Sequence, residues 1–303
     1  MTAHRAGVVA ILGRPNAGKS SLLNAILGEK LAIVCDKPQT TRSRILGIKN
    51  RPGAQLLFVD TPGLHGSSRT LNAILNKQAE EAGDDCDVAL VLFDLLAGFG
   101  ADHAALIAHL RERGTPVVVA GTKLDRAGAR EVPFPPSGPG SRSARCAGLE
   151  PGADAALRVS AHSGEGVESL LDALCARLPE SPPLYPEDDL SDRPLRFLAA
   201  ELVREAATDA LEQELPYALA VEIEQFDESR IDLVRIRANL IVERASQKKI
   251  AIGEGGRRIK QIGIRARREI EKLVGVQVHL ELWVKVEPNW TKRPARIKAL
   301  GYV

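Results

Sequence analysis

The spacing of hydrophobic residues differs between the two ends of the chain. In the first 180 residues, apolar residues form short, near-continuous runs, namely "GVVAIL", "RILGIK", "QLLFVD", "DVALVLFD", "TPVVVAG" and "LRVSA". Such runs are typical of strands that are covered on both faces of a sheet. Helical patterns at 71–82 and 102–113 lie between them. We therefore predict a doubly wound α/β domain with a mainly parallel sheet over residues 1–180.

From residue 193 onwards the predicted order is helix, strand, strand, helix, helix, strand. The first helix has Leu195, Leu198 and Leu202 at helical spacing. The segments "YALAVEIEQF", "IDLVRIRANLIVER" and "VQVHLELWVKV" alternate apolar with polar residues, as half-buried strands do. This pattern predicts a second, α+β domain over residues 193–303.

Two segments break the periodic patterns. Residues 126–155 are rich in Pro, Gly and Ser, a composition that predicts a loosely ordered surface loop. Residues 178–194, "LPESPPLYPEDDLSDRP", combine prolines with acidic residues. We assign residues 181–192 as the linker between the two domains.

Composition and charge narrow the class of protein. The length of 303 residues predicts two domains, and a composition of 44% hydrophobic and 26% charged residues indicates a folded, soluble protein. The four cysteines have no close spacing, so neither a zinc site nor a disulfide framework is predicted. Net charge is only +2, yet residues 187–232 hold 14 acidic and 4 basic residues, and residues 244–272 hold 10 basic and 3 acidic ones. One surface of the second domain is therefore expected to attract a polyanion.

The loop "GRPNAGKS" at residues 13–20 follows a predicted strand and precedes a predicted helix. It matches the G-x-x-x-x-G-K-S pattern, in which backbone N–H groups cradle phosphates, the lysine contacts the β- and γ-phosphates, and the serine hydroxyl ligates Mg²⁺. The alternative is a glycine turn beside an ordinary surface lysine. The predicted nucleotide-binding residues of this loop are Gly13, Asn16, Ala17, Gly18, Lys19, Ser20 and Ser21.

The base is predicted from "TKLD", which comprises Thr122, Lys123 and Asp125 and follows another strand. A carboxylate at Asp125 would accept two hydrogen bonds from guanine, whereas adenine would leave it unpaired. "SAHSG" would support the base through Ser160 and Ala161. The alternative for each tetrapeptide is a solvated loop charge, but their order after the phosphate loop favours GTP over ATP.

Residues 60–63, "DTPG", end a strand and resemble a nucleotide-sensing switch. Asp60 would hold Mg²⁺ through water, and Gly63 would donate its N–H to the γ-phosphate. Thr41 is the expected second switch ligand, so Ser20, Thr41 and Asp60 form the predicted magnesium set. Leu64 stands where many GTPases have a water-orienting glutamine, so no catalytic side chain is predicted. We expect slow hydrolysis, aided by a monovalent cation such as K⁺ near Asn16 and by a partner that orders the switch.

A second glycine cluster, "GEGG" at residues 253–256, lies between two predicted helices. A G-x-x-G turn of this kind clamps about four nucleotides in K-homology (KH) domains. A plain helix-to-helix turn is the alternative, and Glu254 disfavours phosphate at the loop centre. The predicted RNA-binding residues are Lys248, Lys249, Gly253, Glu254, Gly255, Gly256, Arg257, Arg258 and Lys260. We expect both tryptophans, Trp283 and Trp290, to be structural rather than base-stacking.

These motifs resemble those of the Era family of bacterial ribosome-associated GTPases. The resemblance covers nearly the whole chain and rests on "GRPNAGKSSLLNAILG", "KPQTTRSRILGI", "DTPGLH", "TKLD", "SAHSG", "LPYALAVEIEQF", "NLIVERASQKKIAIGEGGRRIKQIGIRARREIE" and "VHLELWVKVEPNW". It implies a P-loop GTPase domain followed by a type II KH domain with a basic C-terminal tail. It also implies GTP, GDP and Mg²⁺ as ligands, binding of the 3′ end of 16S rRNA, and a role in 30S ribosomal subunit biogenesis by a cytoplasmic monomer.

The chain departs from that family at three places. Thr122 replaces an expected asparagine, which puts a hydrogen bond to the base and to the phosphate loop in question. Glu254 replaces an expected lysine, and residues 126–155 lack the expected helix pattern.

Two other functions stay open. One is constitutive RNA binding with a merely structural GTP. The other is a peripheral GTPase whose basic C-terminal stretch contacts the anionic lipid of the inner membrane.

Overall fold

The structure is a computed structural model that describes residues 4–34, 45–60, 86–127, 156–211 and 218–302. The chain forms two compact units, and its main division falls between Asp192 and Arg193. Within the described ranges, no helix is long and apolar enough to cross a membrane. Of the predicted features, Thr41, residues 61–82 and residues 128–155 lie outside these ranges.

The first unit is built on a six-stranded sheet of order β2-β3-β1-β4-β5-β6. Its strands are β1 (Arg5–Gly13), β2 (Ile45–Arg51), β3 (Ala54–Asp60), β4 (Val88–Asp94), β5 (Val117–Thr122) and β6 (Ala156–Arg158). Its helices are α1 (Lys19–Leu27), α2 (Ala101–Glu112), α3 (Leu124–Ala127) and α4 (Val167–Cys175). Of these six strands only β2, at the edge, runs antiparallel to its neighbour. The predicted α/β fold is confirmed.

The apolar runs become the central strands because both faces of these strands are buried. All seven residues of β3 and the first six of β4 are buried. β1 lies parallel to β3 on one side and to β4 on the other. Parallel strands present their carboxyl ends at one edge of a sheet, where open α/β sheets bind ligands. That edge therefore carries the ends of β1, β3 and β5. The motifs GRPNAGKS, DTPG and TKLD begin at these three strand ends.

The segment predicted to be a linker lies against the first unit. The backbone N–H of Ile48 in β2 donates to Leu190 O at 2.9 Å, and Ser191 Oγ donates to Leu46 O at 2.6 Å. The buried Gln55 side chain donates to Tyr185 O at 2.8 Å. Residues 185–191 therefore run along β2 and β3 as an ordered strap.

The second unit has the predicted helix, strand, strand, helix, helix, strand order. It contains α5 (Leu195–Ala210), β7 (Ala220–Arg230), β8 (Leu233–Val242), α6 (Ala245–Ile252), a 3₁₀ turn (Glu254–Gly256), α7 (Arg257–Val274), β9 (Gln277–Val286), a second 3₁₀ turn (Trp290–Lys292) and α8 (Pro294–Ala299). The sheet order is β7-β8-β9, with β8 antiparallel to β7 and parallel to β9.

The two faces of this sheet are covered differently. On the inner face, Ile262, Ala266 and Ile270 of α7 join a buried core with Val278 and Val284 of β9. The spacing of three and four residues places these α7 side chains on one helical face. α5 contributes to the same core.

On the outer face, the C-terminal segment covers one end of the sheet. Trp290, Ile297 and Tyr302 pack there against Ala220 and Ile241. Trp290 is fully buried, and its Nε1 donates to Ala218 O at 3.0 Å, which confirms its structural role. Trp283 is instead 61% exposed and does not belong to the C-terminal cluster, so its burial does not support a structural role.

The second unit also includes residues 29–34, which follow α1 along the chain. Lys30 Nζ contacts Glu205 of α5 at 2.9 Å and Glu269 of α7 at 3.3 Å. Glu205 is buried, and burial raises the pKa of its carboxyl group, although Lys30 opposes that rise. The lysine therefore compensates a charge that would otherwise be costly inside the protein.

Candidate functional site

The backbone of the phosphate loop adopts conformations that few side chains allow. Gly13 has φ +148° and Gly18 has φ +84°, and Asn16 takes a left-handed conformation at φ 60°. A Cβ on Gly13 would lie 2.4 Å from the backbone oxygen of Leu92. Glycine is therefore required at position 13 both for its dihedral angle and for its close approach to β4.

Lys19 closes this loop. Its Nζ donates to the backbone oxygens of Gly13 and Arg14, each at 3.0 Å, and the residue is only 7% exposed. Burial lowers the pKa of the ammonium group, while the neighbouring Asp60 opposes that effect. Among the described residues, no side chain caps the first turn of α1, so its N–H groups face the loop as an anion site.

The predicted magnesium residues meet where α1 begins and β3 ends. Ser20 Oγ donates to Asp60 Oδ2 at 2.7 Å, and Asp60 is fully buried. Hydroxyl and carboxylate oxygens are the ligands that Mg²⁺ accepts beside nucleotide phosphates. The pair therefore fits the ion, and these are the two residues of the predicted set that would hold it. Thr41 lies outside the described residues, and the described ones form no separate metal cluster of His, Cys, Asp and Glu.

At the base-binding end, Asp125 is oriented by the next loop. Ser160 Oγ donates to Asp125 Oδ1 at 2.7 Å and accepts the N–H groups of His162 and Ser163 at 3.2 and 3.1 Å. The hydrogen bond from Ser160 lowers the pKa of the Asp125 carboxyl group. The carboxylate stays ionised and exposed, as an acceptor for two guanine N–H groups must be.

Thr122 joins the base loop to the phosphate loop. Its buried Oγ1 lies 2.7 Å from Ala17 O and 3.2 Å from Phe93 O. The hydroxyl has one proton, and the shorter distance assigns its donation to Ala17. Although asparagine was expected at this position, the Thr122 side chain therefore still makes a hydrogen bond to the phosphate loop.

Two ion pairs near the nucleotide site were not predicted. Arg14 of the phosphate loop pairs with Asp102 in the first turn of α2, with Nε to Oδ2 at 2.6 Å. Lys123, which has φ 61°, pairs with Asp94 at the end of β4 at 2.7 Å. Both partners are distant in sequence. The register of β4 with β5 pairs Asp94 with Thr122 and so brings Lys123 close, whereas Arg14 meets Asp102 where the phosphate loop lies beside the start of α2. A non-glycine residue held at positive φ beside a ligand site is a known form of functional strain.

The second glycine loop is open rather than closed. Gly253, Gly255 and Gly256 have φ of +73°, +55° and +75°. A Cβ on Gly253 would lie 2.7 Å from Arg258 Cβ, whereas no described atom lies within 4 Å of the Cβ position on Gly255 or Gly256. The loop therefore packs on α7 at its first glycine and exposes its backbone at the last two.

The basic residues around this loop have different surroundings. Lys249, Arg257 and Lys260 are exposed, as is Glu254 at the loop centre, and Lys248 is half-buried. Arg258 Nη1 donates to Ile250 O at 2.8 Å and so caps the end of α6. Arg258 therefore has a structural contact in addition to its predicted contact with RNA.

Comparison with known proteins matches both halves of the chain. Residues 8–123 match the family described as 50S ribosome-binding GTPase, and residues 214–291 match the KH domain. GTPase Era of Stenotrophomonas maltophilia (strain K279a) is 42% identical over 303 residues, which cover 99% of this chain and 98% of that protein. GTPase Era of Xanthomonas campestris pv. campestris (strain B100) is 43% identical over 301 residues, covering 99% and 98%.

Two solved structures match over 99% of both chains. Era in complex with MgGDPNP and nucleotides 1506–1542 of 16S ribosomal RNA is 34% identical, with a TM-score of 0.86. A single-residue variant of Aquifex aeolicus Era bound to GDP.AlF4⁻ is 36% identical, with a TM-score of 0.88. The predicted fold class and the predicted GTP, GDP and Mg²⁺ ligands are confirmed. A Lys19-closed phosphate loop, an Asp125 base loop and a downstream KH fold occur here in one chain, which belongs to the Era family of GTPases.

Proposed function

We propose that the nucleotide bound by the first unit controls how tightly the second unit binds the 3′ region of 16S rRNA during 30S subunit biogenesis. The observation that carries this proposal is the match over 99% of both chains to a relative solved with MgGDPNP and 16S rRNA together. The chain retains the chemistry for both ligands, since each unit has a glycine loop with an accessible backbone and nearby cations. The protein acts as a cytoplasmic monomer in this proposal.

The residues of the first unit have separate roles in nucleotide binding. The phosphate loop and the start of α1 hold the phosphates through backbone N–H groups. Lys19 adds a positive charge, which attracts the phosphates more strongly because the side chain is buried away from water. Ser20 and Asp60 hold Mg²⁺, which when bound neutralises the charge that develops on the phosphates during hydrolysis. Asp125 selects guanine, with Ser160 fixing its orientation.

Leu64 offers no group to orient water, so turnover depends on charge neutralisation. We place a K⁺ ion near Asn16 for this purpose, and Thr41 and Gly63 as the switch contacts that hydrolysis releases. Turnover measured in KCl and in NaCl tests the ion. Equal rates at equal ionic strength would contradict a specific potassium site.

In the second unit, the exposed backbone at Gly255 and Gly256 lets a phosphodiester chain approach closely. Lys249, Arg257 and Lys260 surround that position with positive charge. A KH loop clamps about four nucleotides, a much shorter length than nucleotides 1506–1542 of the relative's RNA. Most nucleotides of a long RNA therefore lie outside the GEGG clamp.

The test is the affinity for a 16S 3′-terminal oligonucleotide, measured by fluorescence anisotropy with GDP and with a non-hydrolysable GTP analogue. If the nucleotide controls RNA binding, the affinities measured with GDP and with the GTP analogue are expected to differ at least about fivefold. Equal affinities would favour constitutive RNA binding with a structural nucleotide. Flotation with anionic vesicles, with and without competing RNA, tests the peripheral membrane alternative, and RNA-resistant lipid binding would support that alternative instead.

A further inference from the structure

The centre of β9 exposes an aromatic residue that neither the core nor the GEGG loop uses. Leu282 and Val284, its neighbours along the strand, belong to the inner face, so Trp283 points to the outer face. The side chain is 61% exposed, although it lies in the middle of a regular strand rather than in a loop. The C-terminal cluster around Trp290 covers only the end of the sheet at Ala220 and Ile241.

The groups around Trp283 are polar. Asn239 lies beside it on β8, buried and donating from Nδ2 to Glu224 at 2.6 Å, and Glu281 and Lys285 are the next residues of β9 on the same face. Arg237 donates from Nε to Glu281 at 3.2 Å. A protein-docking surface is usually apolar at its centre, and this indole has no apolar patch around it among the described residues. A nucleobase needs only one flat aromatic face and polar groups at its edges.

A groove lies along the same strands, starting one outer-face position before Trp283, at Arg237 of β8 and Glu281 of β9. Its volume is about 710 Å³, and the residues that line it include three guanidinium groups, at Arg235, Arg237 and Arg267, two carboxylates, at Glu271 and Glu281, and His279. Arg235 and Arg237 project from alternate positions of β8 and are exposed. Guanidinium groups in such a row suit the phosphates of a chain that passes along the strands.

This groove is separate from the GEGG loop. It lies beside the first residues of β8 and β9, whereas the loop follows the other end of β8 through α6. The ten residues of β8 extend roughly 33 Å. A strand bound at the GEGG loop therefore cannot occupy the groove with the same nucleotides.

We propose that Trp283 and the neighbouring Arg235 and Arg237 form a second RNA-binding surface, which stacks an unpaired base and holds its backbone. This inference rests on the proposed RNA-binding function and extends it to the nucleotides beyond the GEGG clamp. RNA is favoured over a protein partner because the cations and amides flank a single aromatic face.

The test compares two RNA probes in the full-length protein. One is a 16S 3′-terminal oligonucleotide of roughly 35 nucleotides, and the other is a short one that fills only the GEGG clamp of about four nucleotides. Trp283→Ala is expected to lower the affinity for the long probe about tenfold and to leave the affinity for the short probe unchanged, because stacking is lost only at the second surface. Trp283→Phe keeps a stacking face and should recover most of the affinity. Arg235→Gln should lower the salt dependence of binding to the long probe and leave that of binding to the short probe unchanged.

Fluorescence gives an independent readout, since the chain has only two tryptophans and Trp290 is buried. The long probe should quench the exposed indole and protect it from acrylamide. Unchanged long-probe affinity in Trp283→Ala would overturn the inference, as would an equal loss for both probes. If Trp283→Ala lost binding to small ribosomal subunits but kept its affinity for RNA, the partner of this surface would be a protein and not RNA. If the wild-type chain binds neither probe, the proposed function itself fails.

Discussion

The two glycine loops of this chain offer phosphate sites under different structural constraints. The loop at residues 13–20 is closed from three sides, by Lys19 across its carbonyl groups, by Thr122 from β5 and by the close approach of Gly13 to β4. The loop at residues 253–256 is supported at Gly253 only and open at Gly255 and Gly256. A closed loop suits one terminal triphosphate, and an open one suits a polymer that must enter and leave at both ends.

The largest effect is expected from Lys19→Ala. Losing a desolvated charge that faces phosphate costs about 2–5 kcal/mol, so GTP affinity should fall about a thousandfold by titration of a fluorescent GTP analogue. Short-probe RNA affinity without nucleotide should stay unchanged. The matched variant Lys260→Ala should show the reverse pattern. A similar loss of GTP affinity in both variants would remove the distinction between the loops.

Asp125→Asn is expected to be next in size. Two hydrogen bonds from guanine to a charged acceptor are lost, each worth about 1.5–3 kcal/mol, so GTP affinity should fall at least about a hundredfold. Xanthosine triphosphate, whose 2-oxo group accepts from the new amide, should bind better than GTP. Competition binding with both nucleotides measures the preference, and an unaltered preference for GTP would show that Asp125 does not read the base.

Gly256→Asp should affect only the second loop. The new carboxylate repels phosphate at an open backbone position, so short-probe affinity is expected to fall at least about tenfold, while GTP affinity is retained. Gly275→Asp is the matched control, because Gly275 has nearly the same φ, +74° against +75°, and is equally open. Equal RNA losses in the two variants would mean that backbone strain, and not position, causes the effect.

The smallest effect is expected from Thr122→Val, which keeps the shape of the side chain and removes its hydroxyl. The buried Ala17 carbonyl loses its donor, at a cost of about 1–2 kcal/mol. GTP affinity should fall about fivefold to tenfold and the thermal midpoint should fall slightly. Thr122→Asn restores a donor and should recover the affinity. If Thr122→Val matches the wild type in both assays, the bridge from β5 contributes nothing to the closed loop.

The parts that could be predicted from sequence are those whose chemistry is local. Continuous apolar runs indicated the buried strands, and the glycine spacing of each loop indicated its dihedral requirements. The ion pair from Arg14 to Asp102 could not be predicted, because the two residues are 88 positions apart and have no pattern in common. The segment at residues 181–192 was predicted as a linker from its prolines and acids, and its contacts with β2 and β3 as an ordered strap could not be predicted from that composition.

The sequence by itself determined the two folds, the residues proposed to hold nucleotide and magnesium, and the glycine turn of the second unit, since each depends on neighbours along the chain. Tertiary structure decided what surrounds those residues. It brought the Thr122 hydroxyl into contact with the phosphate loop, engaged Arg258 in capping a helix, and buried Trp290 while leaving Trp283 exposed. The physical reason is that burial and long-range hydrogen bonds depend on which surfaces meet, and the C-terminal segment covers one tryptophan and does not reach the other.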